Sequence, residues 1–110
     1  MDWTGSLIIE TQSVDGTVTL AVSGELDMAT RDRLLGALEW LEANGEEAIT
    51  VDLTGLSFID ATGLHALIRA RDSARMRGAT LEFRNPSPAV RRLISLVGPE
   101  GLVEEVGDGD

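Results

Sequence analysis

The feature that most constrains the fold is an Asp15-Gly16 pair between two strand-like segments. Asp-Gly is a strong signal for a two-residue hairpin turn, because both residues tolerate the positive φ that such a turn requires. Leu7 to Gln12 has the composition of the first strand. Residues 17–23 alternate strictly between polar and apolar, and their apolar members share one face: Val18, Leu20 and Val22. The pattern predicts an antiparallel hairpin with one buried side.

Beyond the hairpin, helical and strand-like segments alternate. Residues 24–27 are expected to turn the chain, and either Asp27 or Thr30 then caps a first helix. Its apolar residues recur at helical spacing: Leu34, Leu35, Leu38 and Leu41. Asn44-Gly45 is a typical helix end. The short apolar segment from Ala48 to Leu53 is typical of a strand at the centre of a sheet.

Residues 54–60 are expected to form a loop that ends at Asp60, a candidate helix cap. A second helix is predicted over Ala61 to Arg77, and Gly78 ends it. Its apolar positions are Leu64, Leu67 and Ile68, continued by Ala74 or by the aliphatic stem of Arg71. Thr80 to Phe83 reads as a further strand.

A third helix is predicted after Asn85-Pro86-Ser87-Pro88, and Gly98-Pro99 closes it. Its apolar stripe consists of Val90, Leu93, Ile94 and Val97. Val103 to Val106 forms a weak last strand in this prediction, and residues 107–110 form a frayed tail.

This order of elements, β-β-α-β-α-β-α-β, predicts an α/β fold. We expect a hairpin followed by alternating helices and strands in a mixed sheet, with right-handed crossovers between its later, parallel strands. A chain of 110 residues suits one compact domain. The predicted domain spans residues 1–110, with a core over about residues 6–106 and a flexible acidic C-terminal tail.

The composition narrows the possible functions. Cysteine is absent, which removes disulfides, thiol catalysis and thiolate metal sites. No apolar run approaches the roughly 20 residues that a membrane-spanning helix needs. The first ten residues carry an early acid and no basic segment, unlike a signal peptide. We therefore expect a cytoplasmic protein that does not act in a membrane.

The net charge of −10 disfavours direct nucleic-acid binding, which depends on cations that neutralise phosphates. The charge is unevenly distributed, since residues 61–99 hold seven arginines against two acids. These arginines either form a docking surface for carboxylates or phosphates, or solvate helix faces and pair with local acids.

An enzyme is not expected. His65 is the only histidine, and the sequence lacks phosphate-binding glycine motifs and a nucleophile elbow. A small enzyme or ligand sensor would depend on Asp60, Thr62 and His65 alone. We therefore predict no catalytic residues, no cofactor and no metal site.

The start of the second helix is the more informative segment. If Asp60 caps it, the first amides of the helix lack partners and point outward, and the helix dipole favours negative charge there. A phosphate on Thr62 is then tolerated by the backbone, yet it is repelled by Asp60 and Asp27. Such a site suits a switch. The alternative is that Thr62 only completes the helix start.

Three segments resemble the STAS domain family, and more specifically the bacterial anti-sigma factor antagonists. They are Gly24 to Asp27, Val51 to Leu64, and Asn85 to Leu93, in the family's order. The resemblance covers about residues 6–106 and implies the family's single-domain α/β fold.

The resemblance also implies partner switching. In that family the unmodified antagonist binds an anti-sigma factor that is a serine/threonine kinase, and the sigma factor is released. Phosphorylation by the kinase ends the complex, and a phosphatase restores it. The partner-binding residues implied here are Asp27, Asp60, Ala61, Thr62, Gly63, Leu64 and His65.

Two positions depart from the family pattern. The usual phosphoacceptor is a serine directly after the loop aspartate, and this chain has Ala61 there. Either Thr62 is the acceptor, or the protein is a STAS interaction module that is never phosphorylated: a constitutive antagonist, a scaffold, or a subunit associated with transport or sensing. His65 stands where many relatives have glycine, which adds bulk to the predicted contact face.

Overall fold

A computed structural model describes residues 6–99, 101, 102 and 106. In this part of the chain the elements follow the predicted order. They are β1 (Leu7–Val14), β2 (Thr17–Leu26), α1 (Arg31–Ala43), β3 (Ala48–Ile59), α2 (Ala61–Met76), β4 (Thr80–Arg84) and α3 (Pro88–Val97). Of the predicted strand at residues 103–106 only Val106 is described, and it is in a bend, with its amide donating to the carbonyl oxygen of Leu102 at 3.2 Å. The predicted tail at 107–110 lies outside the described residues.

The four strands form one mixed sheet in the order β1-β2-β3-β4. β1 and β2 pair antiparallel, whereas β2 with β3 and β3 with β4 pair parallel. The turn between β1 and β2 has positive φ at Asp15 (52°) and Gly16 (83°), the signature of a type I′ hairpin turn. The predicted hairpin, the parallel later strands and the central position of β3 are confirmed.

Two expectations about loops are wrong. Residues 24–26 continue β2, and residues 54–59 continue β3, so that Leu26 pairs with Ile59 at the ends of the two strands. Register shifts near Gly24 break the alternation of apolar residues, which made these segments resemble loops. Gly24 has a φ of 100°, and a Cβ there would lie 2.5 Å from the carbonyl oxygen of Ser6. A glycine is therefore needed where β2 passes this close to the segment before β1.

One face of the sheet is buried in a single core shared with the three helices. The predicted stripes are confirmed where they meet this core: Val18, Leu20, Val22, Leu34, Leu38, Leu41, Leu64, Leu67, Ala74, Val90 and Ile94. Leu35, Ile68 and Leu93 are partly buried against it. Arg71 is buried, as the prediction for its stem requires. Val97 was expected in the stripe of α3, but it is exposed because it lies in the last turn, at the edge of the helix contact.

Candidate functional site

The candidate site lies where β2 and β3 end side by side. Because the two strands are parallel, their carboxyl ends share one edge of the sheet. The Asp60 amide donates to the carbonyl oxygen of Leu26 at 3.2 Å. Asp27 and Asp60, which the sequence separates widely, are thereby placed next to each other at the entrances to α1 and α2.

Asp60 is the N-cap of α2, as predicted. Its Oδ1 accepts hydrogen bonds from the Gly63 amide at 2.8 Å and from the Thr62 hydroxyl at 2.7 Å. Although burial works to raise it, the pKa of the Asp60 carboxyl is lowered by hydrogen bonds from the Thr62 hydroxyl and from the amides of Gly63, Met28 and Thr62. The carboxylate is therefore held ionised at the start of the helix, where the dipole also favours negative charge.

Gly63 and Leu64 are buried and position the site from within. A Cβ on Gly63 would lie 2.5 Å from the Leu26 carbonyl oxygen and 2.9 Å from Leu26 Cγ. Glycine thus lets the first turn of α2 pack directly on the end of β2. Leu64 anchors the same turn in the core. Of residues 60–65, Ala61 and His65 are exposed, and Asp60 and Thr62 are half-buried.

The segment between β2 and α1 forms the other side of the site. Thr30 precedes α1 at the N-cap position, but its side chain makes no cap hydrogen bond. Instead, Oδ1 of Asp27 accepts from the amides of Ala29 (2.9 Å) and Thr30 (3.2 Å). The Thr30 hydroxyl is buried and donates to the Glu25 carbonyl oxygen at 2.7 Å. Of the two cap candidates, Asp27 accepts from the amides that lead into the helix, whereas the Thr30 hydroxyl oxygen accepts from the Asp27 amide at 3.1 Å.

Exposed side chains surround this edge. Ala61 and His65 are exposed, Thr62 is half-buried, and Met28 is 68% exposed. Thr62 and His65 also line a groove of about 470 Å³ between α1 and α2. The charged residues that line this groove are Arg31, Asp32, Glu39, Glu42 and Arg69. At the far end of the two helices, an ion pair of 3.0 Å between Arg77 and Glu42 joins them.

The structure adds a feature that the sequence did not reveal. Phe58, expected in a loop, is on β3 and 50% exposed, and Leu96 on α3 is 72% exposed. Both line an apolar groove of about 240 Å³ between the end of β3 and α3. Two features of the sequence could have indicated this groove. An aromatic residue directly precedes the Ile59-Asp60 pair, and α3 has more apolar residues than one buried stripe needs.

A second carboxylate fixes the segment that leads into α3. Oδ1 of Asp52 accepts from the Thr54 hydroxyl (2.6 Å), the Thr54 amide (3.0 Å) and the Asn85 side-chain amide (3.1 Å). Burial works to raise the pKa of Asp52, but these hydrogen bonds lower it overall. Asn85 itself has a φ of 62°. Asp52 thus connects β3 by hydrogen bonds to the turn that leads into α3.

These contacts build an accessible helix start with an ionised cap beneath a hydroxyl. Among the described residues, no group of three histidine, aspartate or glutamate side chains is placed to hold a metal ion. In the same part of the chain, no helix combines the length and the apolar character needed to cross a membrane.

Comparisons with known proteins agree with this architecture. The sequence model of the family described as "Mlab, STAS domain" matches residues 9–104. An anti-sigma-B factor antagonist of Listeria monocytogenes is 30% identical over 87 residues, which are 79% of this chain and 76% of that protein.

Two solved structures are also similar. The first is an anti-sigma factor antagonist from Mycobacterium paratuberculosis, with a TM-score of 0.78, 28% identity and coverage of 89% of this chain and 83% of that one. The second is a sulfate transporter family protein from Wolinella succinogenes, with a TM-score of 0.71, 26% identity and coverage of 87% and 80%. On the match over residues 9–104, the chain belongs to the STAS domain family.

Proposed function

We propose that this protein is an anti-sigma factor antagonist, which binds a kinase-type anti-sigma factor in the cytoplasm and thereby releases the sigma factor. The contact surface combines Asp27 and Met28 with the start of α2. The observation that carries the proposal is the half-buried Thr62 hydroxyl, hydrogen-bonded to the Asp60 cap at an accessible helix start. The relative in Listeria monocytogenes and the structure from Mycobacterium paratuberculosis, both described as antagonists, support the same role.

In this proposal, phosphorylation of Thr62 by the partner is the switch. A phosphate replaces the hydroxyl that donates to Asp60, so the 2.7 Å hydrogen bond is lost. The phosphate adds about two negative charges beside the carboxylates of Asp60 and Asp27. The helix dipole tolerates this charge, so the fold survives, but the surface that the partner binds becomes more negative. A phosphatase that removes the phosphate restores the surface.

The role does not require catalysis by this chain. Asp60 acts as a helix cap with a lowered pKa, which makes it a poor proton acceptor at neutral pH. His65 is exposed on α2 and contributes contact area in this proposal. A screen for turnover that found an activity lost in His65→Ala would contradict a pure binding role.

The test is to incubate the protein with ATP and, one at a time, the kinase-type anti-sigma factors of its own organism, and then to measure intact mass and affinity. We expect binding of the unmodified protein to one of them and a mass increase of one phosphate. The increase should be absent in Thr62→Ala and kept in the matched control Ser73→Ala, which removes an exposed hydroxyl further along α2. If wild type binds none of these kinases, the proposed function is wrong.

A second candidate is a STAS interaction module that is never phosphorylated. It is favoured by Ala61 at the position of the usual serine, and by the matches to the Mlab family and to the sulfate transporter family protein. In this case the same surface binds its partner constitutively, as a permanent antagonist, a scaffold or a transport-associated subunit. Binding without any mass increase supports the permanent antagonist and contradicts the switch at Thr62.

A further inference from the structure

The two halves of β3 have different neighbours. β4 pairs with β3 only from Ala48↔Thr80 to Asp52↔Arg84, whereas β2 pairs with β3 as far as Leu26↔Ile59. After β4 the chain turns through Asn85 into α3. Among the described residues, no strand therefore pairs with residues 54–59 on the β4 side. This half of β3 is an open sheet edge that faces a helix.

The space between this edge and α3 is the apolar groove of about 240 Å³. Its lining residues are Ser57, Phe58, Ile59, Ala89, Val90, Arg92, Leu93 and Leu96. Single exposed apolar side chains are common on protein surfaces, whereas several that line one groove can receive an apolar side chain of a ligand. Here Phe58 on the strand and Leu96 on the helix expose their side chains to the same groove.

A strand edge beside an apolar groove is the geometry that binds extended peptides. Apart from the Thr54 amide, which donates to Oδ1 of Asp52, the backbone amides and carbonyls of such an edge can accept an added strand, and the groove receives its alternate side chains. Arg92 at the groove adds a guanidinium, which favours a carboxylate on the ligand. The groove also adjoins the proposed contact surface, because β3 runs directly into Asp60.

We propose that an extended segment of the protein partner adds to β3 along residues 54–59, with an apolar side chain in the groove and a carboxylate beside Arg92. The occupant rests on the proposed function, since it is a segment of the same anti-sigma factor. A second copy of this chain fits the site less well. Each copy carries a net charge of −10, so two copies repel.

The first test measures the affinity of the anti-sigma factor for Leu96→Asp. Leu96 is 72% exposed, so the variant should keep its fold, which its thermal unfolding will verify. We expect binding to weaken by about tenfold or more, as for an anchor side chain. The matched control is Met76→Asp, which adds the same charge at a residue 89% exposed at the end of α2 and should not alter binding. Arg92→Glu should also weaken binding, whereas Arg33→Glu on α1 should not.

The second test is hydrogen exchange in the complex. Strand addition should slow exchange at alternate amides of residues 55–59, because every second amide of a strand points to the same edge. Unchanged affinity for Leu96→Asp with unchanged exchange at these amides overturns the inference. If Thr62→Glu still weakens binding in that case, the proposed function stands without the groove. If wild type binds no anti-sigma factor, both are overturned. Protection of these amides in the free protein that rises with its concentration identifies a second copy as the occupant and also overturns the inference.

Discussion

The Thr62 hydroxyl donates a 2.7 Å hydrogen bond to Oδ1 of Asp60, the same oxygen that accepts from the Gly63 amide at 2.8 Å. One carboxylate oxygen therefore serves both as the cap of α2 and as the partner of the only side-chain hydroxyl in the first turn. A change at Thr62 acts directly on the residue that fixes the start of the helix.

Removing the cap should destabilise the fold. We expect Asp60→Ala to lower the free energy of unfolding by about 1 kcal/mol, because the Gly63 amide loses its acceptor. Asp60→Asn keeps a good cap and should retain most of the stability. Urea unfolding of the two variants and wild type measures the difference. Equal losses in both variants would show that the charge, and not the cap, is what matters.

The lowered pKa of Asp60 predicts how stability depends on pH. A carboxyl whose pKa is lower in the folded than in the unfolded state adds stability above the unfolded value, which is about 4. This contribution disappears as the pH falls through the folded value. The difference in unfolding free energy between wild type and Asp60→Asn should be constant above about pH 5 and shrink below about pH 4. Urea unfolding at a series of pH values tests it, and a difference that grows in acid would contradict it.

Asp52 should behave in the same direction, because its pKa is also lowered by hydrogen bonds from Thr54 and Asn85 that outweigh the effect of burial. Asp52→Asn is therefore a second, independent measurement of the same acid dependence. This variant also loosens the turn that sets the direction of α3. We therefore expect the anti-sigma factor to bind the groove beside α3 more weakly, although Thr62 is unchanged.

Two glycine variants test the close approach of α2 to β2. Gly63→Ala places a Cβ 2.5 Å from the Leu26 carbonyl oxygen, so we expect a loss of about 1–3 kcal/mol in unfolding free energy. Gly36→Ala on α1 is the matched control, since a Cβ there meets nothing within 4 Å. This variant should gain up to about 1 kcal/mol from helix propensity. Thermal and urea unfolding give both values, and a neutral Gly63→Ala would refute the tight packing.

Much of the fold was predictable because its signals are local. The Asp15-Gly16 turn, the leucine stripe of α1 and the Asp60 cap each depend on residues close together in the sequence. The extensions of β2 and β3 were missed because they are stabilised by pairing between distant segments, as in Leu26 with Ile59. At the register shifts the alternation of apolar residues is lost, and a strand then has the composition of a loop.

The sequence identified the segments that form the site, but it did not show the contacts between them or which of their residues are exposed. The sequence placed Asp27 and Asp60 at the two helix entrances, but it did not show that the Leu26 carbonyl oxygen accepts from the Asp60 amide. It also grouped Gly63 and Leu64 with the contact residues, although both residues are buried. Burial depends on what packs above a residue, which motif spacing alone does not give.

The charge-mimicking variant Thr62→Glu separates binding from folding. A carboxylate in the first turn of a helix is stabilising by about 0.3–1 kcal/mol, which offsets its repulsion from Asp60 and the loss of the hydroxyl. We therefore expect a thermal unfolding temperature close to that of wild type. Binding to the kinase-type anti-sigma factor should nevertheless weaken by about tenfold or more, because the added charge lies within the contact surface.

The matched control is Ser73→Glu, which adds the same charge at an exposed position further along α2 and should leave the affinity unchanged. Thr62→Ala completes the series, because it removes the hydrogen bond to Asp60 without adding charge. If charge is the cause, Thr62→Ala should bind almost as well as wild type. If both Thr62 variants bind like wild type, the contact surface lies away from the start of α2.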